Sequence, residues 1–209
     1  MSARDDILGA VRTNKPAIDA PAPTVPNYDN AYPQGADRLA ALFAERLATM
    51  GGTWHALADG QSIDAVLQDV LADKVGKPFD DAVIASNVPE VAGNRPLTES
   101  DVPASVHDVD IAVLRARFGI AETGSVCFTE AELTVNAVAY LAQHLVVLLD
   151  PAEIVANMHR AYQRDDFVNA NYTVFHTGPS ATADIEGVLV RGAQGVRSLT
   201  VIPAPATPA

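Results

Sequence analysis

A chain of 209 residues is long enough for one large domain with its own core. Its 48% hydrophobic content excludes general disorder, and a formal charge of −12 argues against nucleic acid and anionic membrane surfaces as partners. The lone cysteine, Cys127, excludes an intramolecular disulfide and any thiolate cage for zinc or an iron–sulfur cluster held by this chain alone. No apolar run approaches the ~20 residues that cross a bilayer. Asp5 and Asp6 stand where a signal peptide needs basic residues, so the expected compartment is the cytoplasm.

Residues 2–13 predict a short helix, with Ser2 as N-cap and Asp5 and Asp6 in the first turn. Five prolines between residues 15 and 34 then predict an extended arm. It is either disordered or packed on a neighbouring subunit through Tyr28 and Tyr32. Together these make an N-terminal unit over residues 1–35. A single α/β domain follows over residues 36–203, and residues 204–209 form a frayed Pro/Ala tail.

Helical spacing of Leu39, Leu42, Phe43, Leu47 and Met50 predicts a helix over residues 36–50, ended by Gly51 and Gly52. A short strand is expected near residues 53–57. A second helix is expected over 61–75, burying Ile63, Val66, Leu67, Val70 and Leu71, and then a strand over 82–85. Residues 111–118 fit either a helix or a strand, and residues 136–142 are equally ambiguous. Further on, residues 145–149 predict a buried strand. A helix opened by Pro151 should carry Ile154, Val155, Met158 and Tyr162 on one stripe. A strand over 172–175, a short helix over 183–190 and a strand over 198–202 complete the pattern. Strands alternating with helices predict a mostly parallel sheet covered on both faces. Functional loops are then expected at strand carboxyl ends: Ser86-Asn87, residues 122–125 and residues 177–182.

Two stretches carry the candidate chemistry. Glu122-Thr123-Gly124-Ser125 interrupts two apolar segments and holds a carboxylate at a sharp turn. An ordinary hairpin with an exposed Glu is the plainer reading of that stretch. Gly178-Pro-Ser180-Ala-Thr182 precedes the expected helix, where free backbone N–H groups attract anions and Ser180 or Thr182 adds a hydroxyl. Plain capping explains it equally well, with Asp184 and Glu186 in the first turn. The candidate ligand-binding set is Thr123, Gly124, Ser125, Gly178, Ser180, Thr182 and Asp184. His176, at a strand end, has a minor claim to proton transfer. His144 and His159 read as rim or surface residues. Cys127, inside an apolar strand, reads as a buried inert thiol. The histidines show no metal-ligand spacing, and the sequence has neither a Rossmann glycine fingerprint nor a phosphate-binding Walker loop.

Taken together, Gly119-Ile-Ala-Glu-Thr-Gly-Ser125 and Thr177-Gly-Pro-Ser-Ala-Thr-Ala-Asp-Ile-Glu186 resemble the LUD-domain family of lactate-utilization proteins, of the protein C type. His144-Leu-Val-Val-Leu-Leu-Asp150 and Leu189-Val-Arg-Gly-Ala-Gln-Gly195 fit the same pattern. The resemblance implies an α/β fold similar to the sugar-phosphate isomerase and CoA-transferase (NagB/RpiA-like) superfamily. It implies an accessory role in oxidising L-lactate to pyruvate, beside partner proteins of which at least one carries iron–sulfur clusters, with a small carboxylate or phosphate as ligand. By analogy with CoA-transferases it makes Glu122 the candidate catalytic nucleophile. An independent acyl-transfer or isomerase-type enzyme and a non-catalytic regulatory protein are the alternatives. The chain departs from the family pattern at Ala181, where Arg or another polar residue is frequent, and at Gln194-Gly-Val196, where His-Gly-Pro is frequent.

Overall fold

The computed structural model describes residues 2–16, 21, 23–98, 101–184 and 186–205. Helix α1 spans Ala3–Thr13 and opens with a reciprocal cap: Ser2 accepts from the Asp5 amide while Asp5 accepts from the Ser2 amide. It buries no residue, so its stability is local. Helix α2, Ala36–Thr49, instead buries Phe43 and Leu47 completely, each contributing roughly 2 kcal/mol by removal from water.

The centre is a five-stranded parallel sheet. Its strands are β1 (Thr53–Trp54), β2 (Ile84–Ser86), β3 (Ile111–Arg115), β6 (His144–Leu149) and β11 (Ser198–Pro203), in the order β1-β11-β6-β3-β2. β1 and β2 form opposite edges, so the link between them crosses one whole face. That link carries α3, Ile63–Val70, which continues through a wider turn to Val75 before Gly76 ends it in the left-handed region. Side-chain alternation divides the core. Ile111, Val113, Val146 and Leu148 face α3, whereas Ala112, Leu114, Leu145, Val147 and Leu149 face the other way.

That other face is covered by α2 and by a second sheet rather than by helices alone. The second sheet joins β4 (Phe118–Ile120), β5 (Ser125–Thr129), β7 (Ile154–Val155) and β8 (Thr173–His176) in the order β7-β4-β5-β8. β5 pairs antiparallel with both β4 and β8, and β4 pairs parallel with β7. The ambiguous 111–118 run therefore resolves into strands. Short helices α4 (Glu130–Leu133), α5 (Val138–Leu141), α6 (Met158–Ala161) and α7 (Asp165–Val168) fill the connections.

Two helices expected from the sequence are absent, and each is displaced by pairing at a distance. After Pro151 the chain makes one tight turn, Pro151–Glu153. Ile154 and Val155 then pair with Gly119 and Ile120, and Asn157 restarts a helix by capping the Arg160 amide. In place of a helix over 183–190, Ala181–Thr182 (β9) pairs antiparallel with Val190–Arg191 (β10) across a turn that includes Gly187 at φ +70°. Ile185 lies outside the described residues. The Pro-rich arm also differs from expectation, because its end packs on its own domain. Tyr28 stacks on His159, Asp29 pairs with Arg160, and the Tyr32 hydroxyl donates to Glu122. Residues 206–209 of the expected tail lie outside the described residues. No helix among the described residues is long and apolar enough to cross a membrane.

Candidate functional site

The turn at Glu122 joins β4 to β5 and is pinned from three sides. The Gly124 amide donates to the Ile120 carbonyl at 2.9 Å, with Gly124 at φ +66°. A Cβ on Gly124 would lie 2.3 Å from the Leu47 amide nitrogen, so the turn rests directly on the α2 backbone. Glu122 donates its amide to the Ala156 carbonyl (3.0 Å) and accepts the Met158 amide at Oε2 (2.9 Å) and the Tyr32 hydroxyl at Oε1. This hydrogen bond, with burial, pushes the Tyr32 phenol up to about 12. Both carboxylate oxygens thus hold neighbouring segments, the geometry of an anchor.

A chain of hydroxyls runs from this turn to the glycine loop. Thr123 and Ser125 are 2.6 Å apart at their hydroxyl oxygens, and Ser125 and Thr177 are also 2.6 Å apart. Gly178 follows at φ +75°, with room for no side chain, since a Cβ would meet the Met50 carbonyl at 2.4 Å. The Ser180 amide donates to the Val196 carbonyl (2.9 Å) and its carbonyl accepts the Gly192 amide (2.9 Å). Met50 precedes β1 and Val196 precedes β11, so this loop lies at the amino edge of the parallel sheet. The expectation of a carboxyl-edge loop is corrected: residues 177–182 follow β8 of the second sheet, whose strand direction the parallel sheet does not set. Only Ser86-Asn87 of the three expected loops sits at the parallel sheet's carboxyl edge.

The loop borders a pocket of about 250 Å³ whose polar lining includes Tyr140, His176, Thr177, Ser180 and Gln194. Among the described residues no charged side chain lines it. Gly178 and Ser180 reach it, while Ser125 approaches only through Thr177. Glu122, Thr123 and Gly124 do not line it. Thr182 donates to Asp184 at 2.9 Å on the projecting β9–β10 hairpin, where both stand apart from the pocket. The candidate site residues therefore do not converge on one pocket: the Glu122 turn and the Gly178 loop are linked by hydroxyls, and of the two only the loop lines this cavity.

His176 is the pocket's most unusual group. It ends β8 with 9% of its surface exposed, against the rings of Phe128 and Tyr140 at 5.7 and 5.0 Å. Its Nε2 is sealed and has no hydrogen-bond partner among the described residues. Burial pushes the imidazole down to about 4. The unfolded chain takes up this proton below about pH 6.5 and the folded chain only near 4, so stability falls as pH drops through that window. Denaturant titrations should show a loss of about 2 kcal/mol from this group between pH 7 and 5. His144, buried rather than at the rim and bonded to Ser198 at 2.8 Å, is depressed in the same direction by burial. His176→Phe should flatten most of this limb; an unchanged pH slope in that variant would show that His176 is not the source.

A second cleft, of about 500 Å³, occupies the carboxyl edge, between Asn87, Arg115, Arg117, Asp150 and Arg164. Its guanidinium groups are committed to protein carboxylates: Arg115 to Glu90, Arg117 to Glu132, and Arg164 to Asp166 (2.7 Å) and Glu153 (2.8 Å). Arg164 also lies 4.6 Å over the Phe118 ring. Sequence reading overlooked this cluster; Arg115 and Arg117, flanking the end of an apolar run, were its visible signal. Cys127 is fully buried, and burial pushes its thiol up to about 12, as expected of an inert cysteine. Among the described residues no cluster of three or more His, Cys, Asp or Glu could hold a metal ion.

A model of the LUD domain matches residues 94–202, just over half of the chain and every element that lines the pocket. The chain belongs to the LUD-domain family. The fold agrees: a crystal structure of a DUF162 family protein from Deinococcus radiodurans superposes with a TM-score of 0.57. The pair share 13% identity over 82% of this chain and 99% of that one, which bears on fold alone. No curated protein matches the chain. Within this LUD domain, the two motifs that suggested the family prove to be the anchored Glu122 turn and the Gly178 loop of the amino-edge pocket.

Proposed function

We propose that this LUD-domain protein is a non-catalytic accessory component of L-lactate utilization, of the protein C type, that binds a small carboxylate in the Gly178–His176 pocket. The observation that carries this reading is electrostatic. In a chain of net charge −12, this motif-built pocket has no carboxylate among the described residues that line it, and it offers hydroxyl, amide and imidazole groups. Neutral donors converging on a glycine loop can hold a monoanion without a counter-charge. With Ala181 and Gln194 in place of the family's frequent Arg and His, binding through neutral groups is what remains available. Electron transfer would belong to iron–sulfur partner proteins in the cytoplasm, since this chain has one buried cysteine.

Glu122 supports this accessory role over an acyl-transfer role, because both its oxygens are occupied by Tyr32 and Met158. Calorimetric titration with L-lactate, pyruvate and inorganic phosphate tests the reading. A carboxylate should bind, and Ser180→Ala should weaken it roughly tenfold through loss of one hydroxyl contact. Absence of binding by all the anions, or binding unaffected by Ser180→Ala, would remove the pocket from consideration. Co-purification with iron–sulfur partners separates the accessory role from a free-standing regulatory one.

A further inference from the structure

We infer that the β9–β10 hairpin pairs with the same hairpin of a second copy of this chain, the two β10 strands running antiparallel about a two-fold axis. The inference stands apart from the reading of the pocket and needs no ligand. It begins from an open edge. β9 and β10 pair with each other and with neither larger sheet. A two-stranded ribbon with so short a ladder is marginal in water, and an unpaired strand edge is a template for another chain. Proteins commonly blunt such an edge with charge, proline or a covering segment. Here the residues leading into β10 are instead Val188 and Leu189, 61% and 58% exposed. Met50 adds to this surface at the foot of the hairpin, where its carbonyl accepts from Arg191 and its own side chain is exposed. Apolar area is therefore left uncovered on one projecting element, as the centre of an interface requires.

Charge decides the occupant. The chain as a whole carries −12, so two copies repel unless the contact itself alternates in sign. The hairpin does alternate along its length. Its turn end carries Asp184 and Glu186, its base carries Arg191 and Arg197, and all four are exposed. None of the four makes an ion pair among the described residues. Within one hairpin the acids and the arginines lie at opposite ends. A two-fold antiparallel pairing reverses one hairpin against the other, so each acidic turn lies beside the basic base of its partner. Pairing about Leu189 sets Val188 opposite the partner's Val190 and carries Arg191 toward the partner's Glu186. A parallel pairing would instead set acid against acid and arginine against arginine, which opposes association. Ser180 and Gln194, near the feet of the hairpin, also line the amino-edge pocket, so the pairing places two pockets beside one seam.

Sedimentation equilibrium on the full chain at low salt tests this. Wild type should be a dimer that weakens as salt is raised. Leu189→Lys changes an exposed residue and should raise the dimer dissociation constant about tenfold or more. Two charge variants test the arrangement itself. Asp184→Lys with Glu186→Lys makes both ends of the hairpin basic, and Arg191→Glu with Arg197→Glu makes both ends acidic. Each should be monomeric alone, and an equimolar mixture of the two should recover the dimer, because every turn then meets a base of opposite sign. Melting curves establish that each variant is folded. A monomeric wild type overturns the inference and leaves the edge to a different partner. A dimer that survives Leu189→Lys and both charge variants overturns it as well, since the contact then lies elsewhere. Monomeric charge variants that fail to associate on mixing overturn the antiparallel arrangement.

Discussion

Gly124→Ala is expected to lower stability by about 4 kcal/mol, the sum of left-handed backbone strain of ~1–2 and overpacking of ~1–3 kcal/mol. The strain arises because Gly124 sits at φ +66°. The overpacking arises because the new methyl would meet the Arg46 carbonyl carbon at 2.7 Å and the Leu47 nitrogen at 2.3 Å, backbone atoms inside a helix that cannot step aside. Gly60→Ala provides the internal comparison. Gly60 has a similar φ of +77° and open space around it, so it reports the strain alone. Urea denaturation of both variants should show Gly124→Ala losing at least twice as much as Gly60→Ala. Equal losses would mean that the turn does not rest on α2, and would undo the account of how the β4–β5 hairpin is placed.

The second large effect concerns Glu122. Removal of its carboxylate in Glu122→Ala should cost about 3 kcal/mol, since two hydrogen bonds to a charged group vanish and the Met158 amide is left unpaired. Glu122→Gln should cost only about 1 kcal/mol, because the amide oxygen can still accept from Met158 and the amide nitrogen can donate to Tyr32. Tyr32→Phe combined with Glu122→Ala should cost less than the two separately, as expected of direct partners. Tyrosinate absorbance offers an independent reading, with the phenol raised to about 12 in wild type moving back toward 10 in Glu122→Ala. If the Ala and Gln variants both stay within about 0.5 kcal/mol of wild type, Glu122 is an ordinary exposed turn residue. If Gln abolishes a turnover that the wild type is found to possess, the anchoring account gives way to the nucleophile.

The sequence by itself determined the elements whose signals are local and unopposed. The Ser2–Asp5 cap, the apolar stripe of α2 with Phe43 and Leu47, and the unbroken apolar run of β6 all have one low-energy solution within a few residues. It also carried the family, through the paired motifs around Gly124 and Ser180, because a glycine forced to positive φ against another backbone leaves a mark on the sequence. What only the tertiary structure decided was every choice between a local preference and a distant partner. Ile154 and Val155 could sit on a helical stripe until β4 offered open hydrogen-bonding groups, and residues 183–190 read as a helix until Ala181–Thr182 met Val190–Arg191. The site was decided in the same way. Gly178 and Ser180 were legible as a loop, but their place at the amino edge depends on Met50 and Val196, far away in the chain. His176 was legible as a histidine at a strand end beside the glycine loop, but only folding sealed its Nε2 beside Phe128 and Tyr140. Burial and the lack of a partner are properties of the packed chain, set by contacts many residues apart, and no local pattern encodes them.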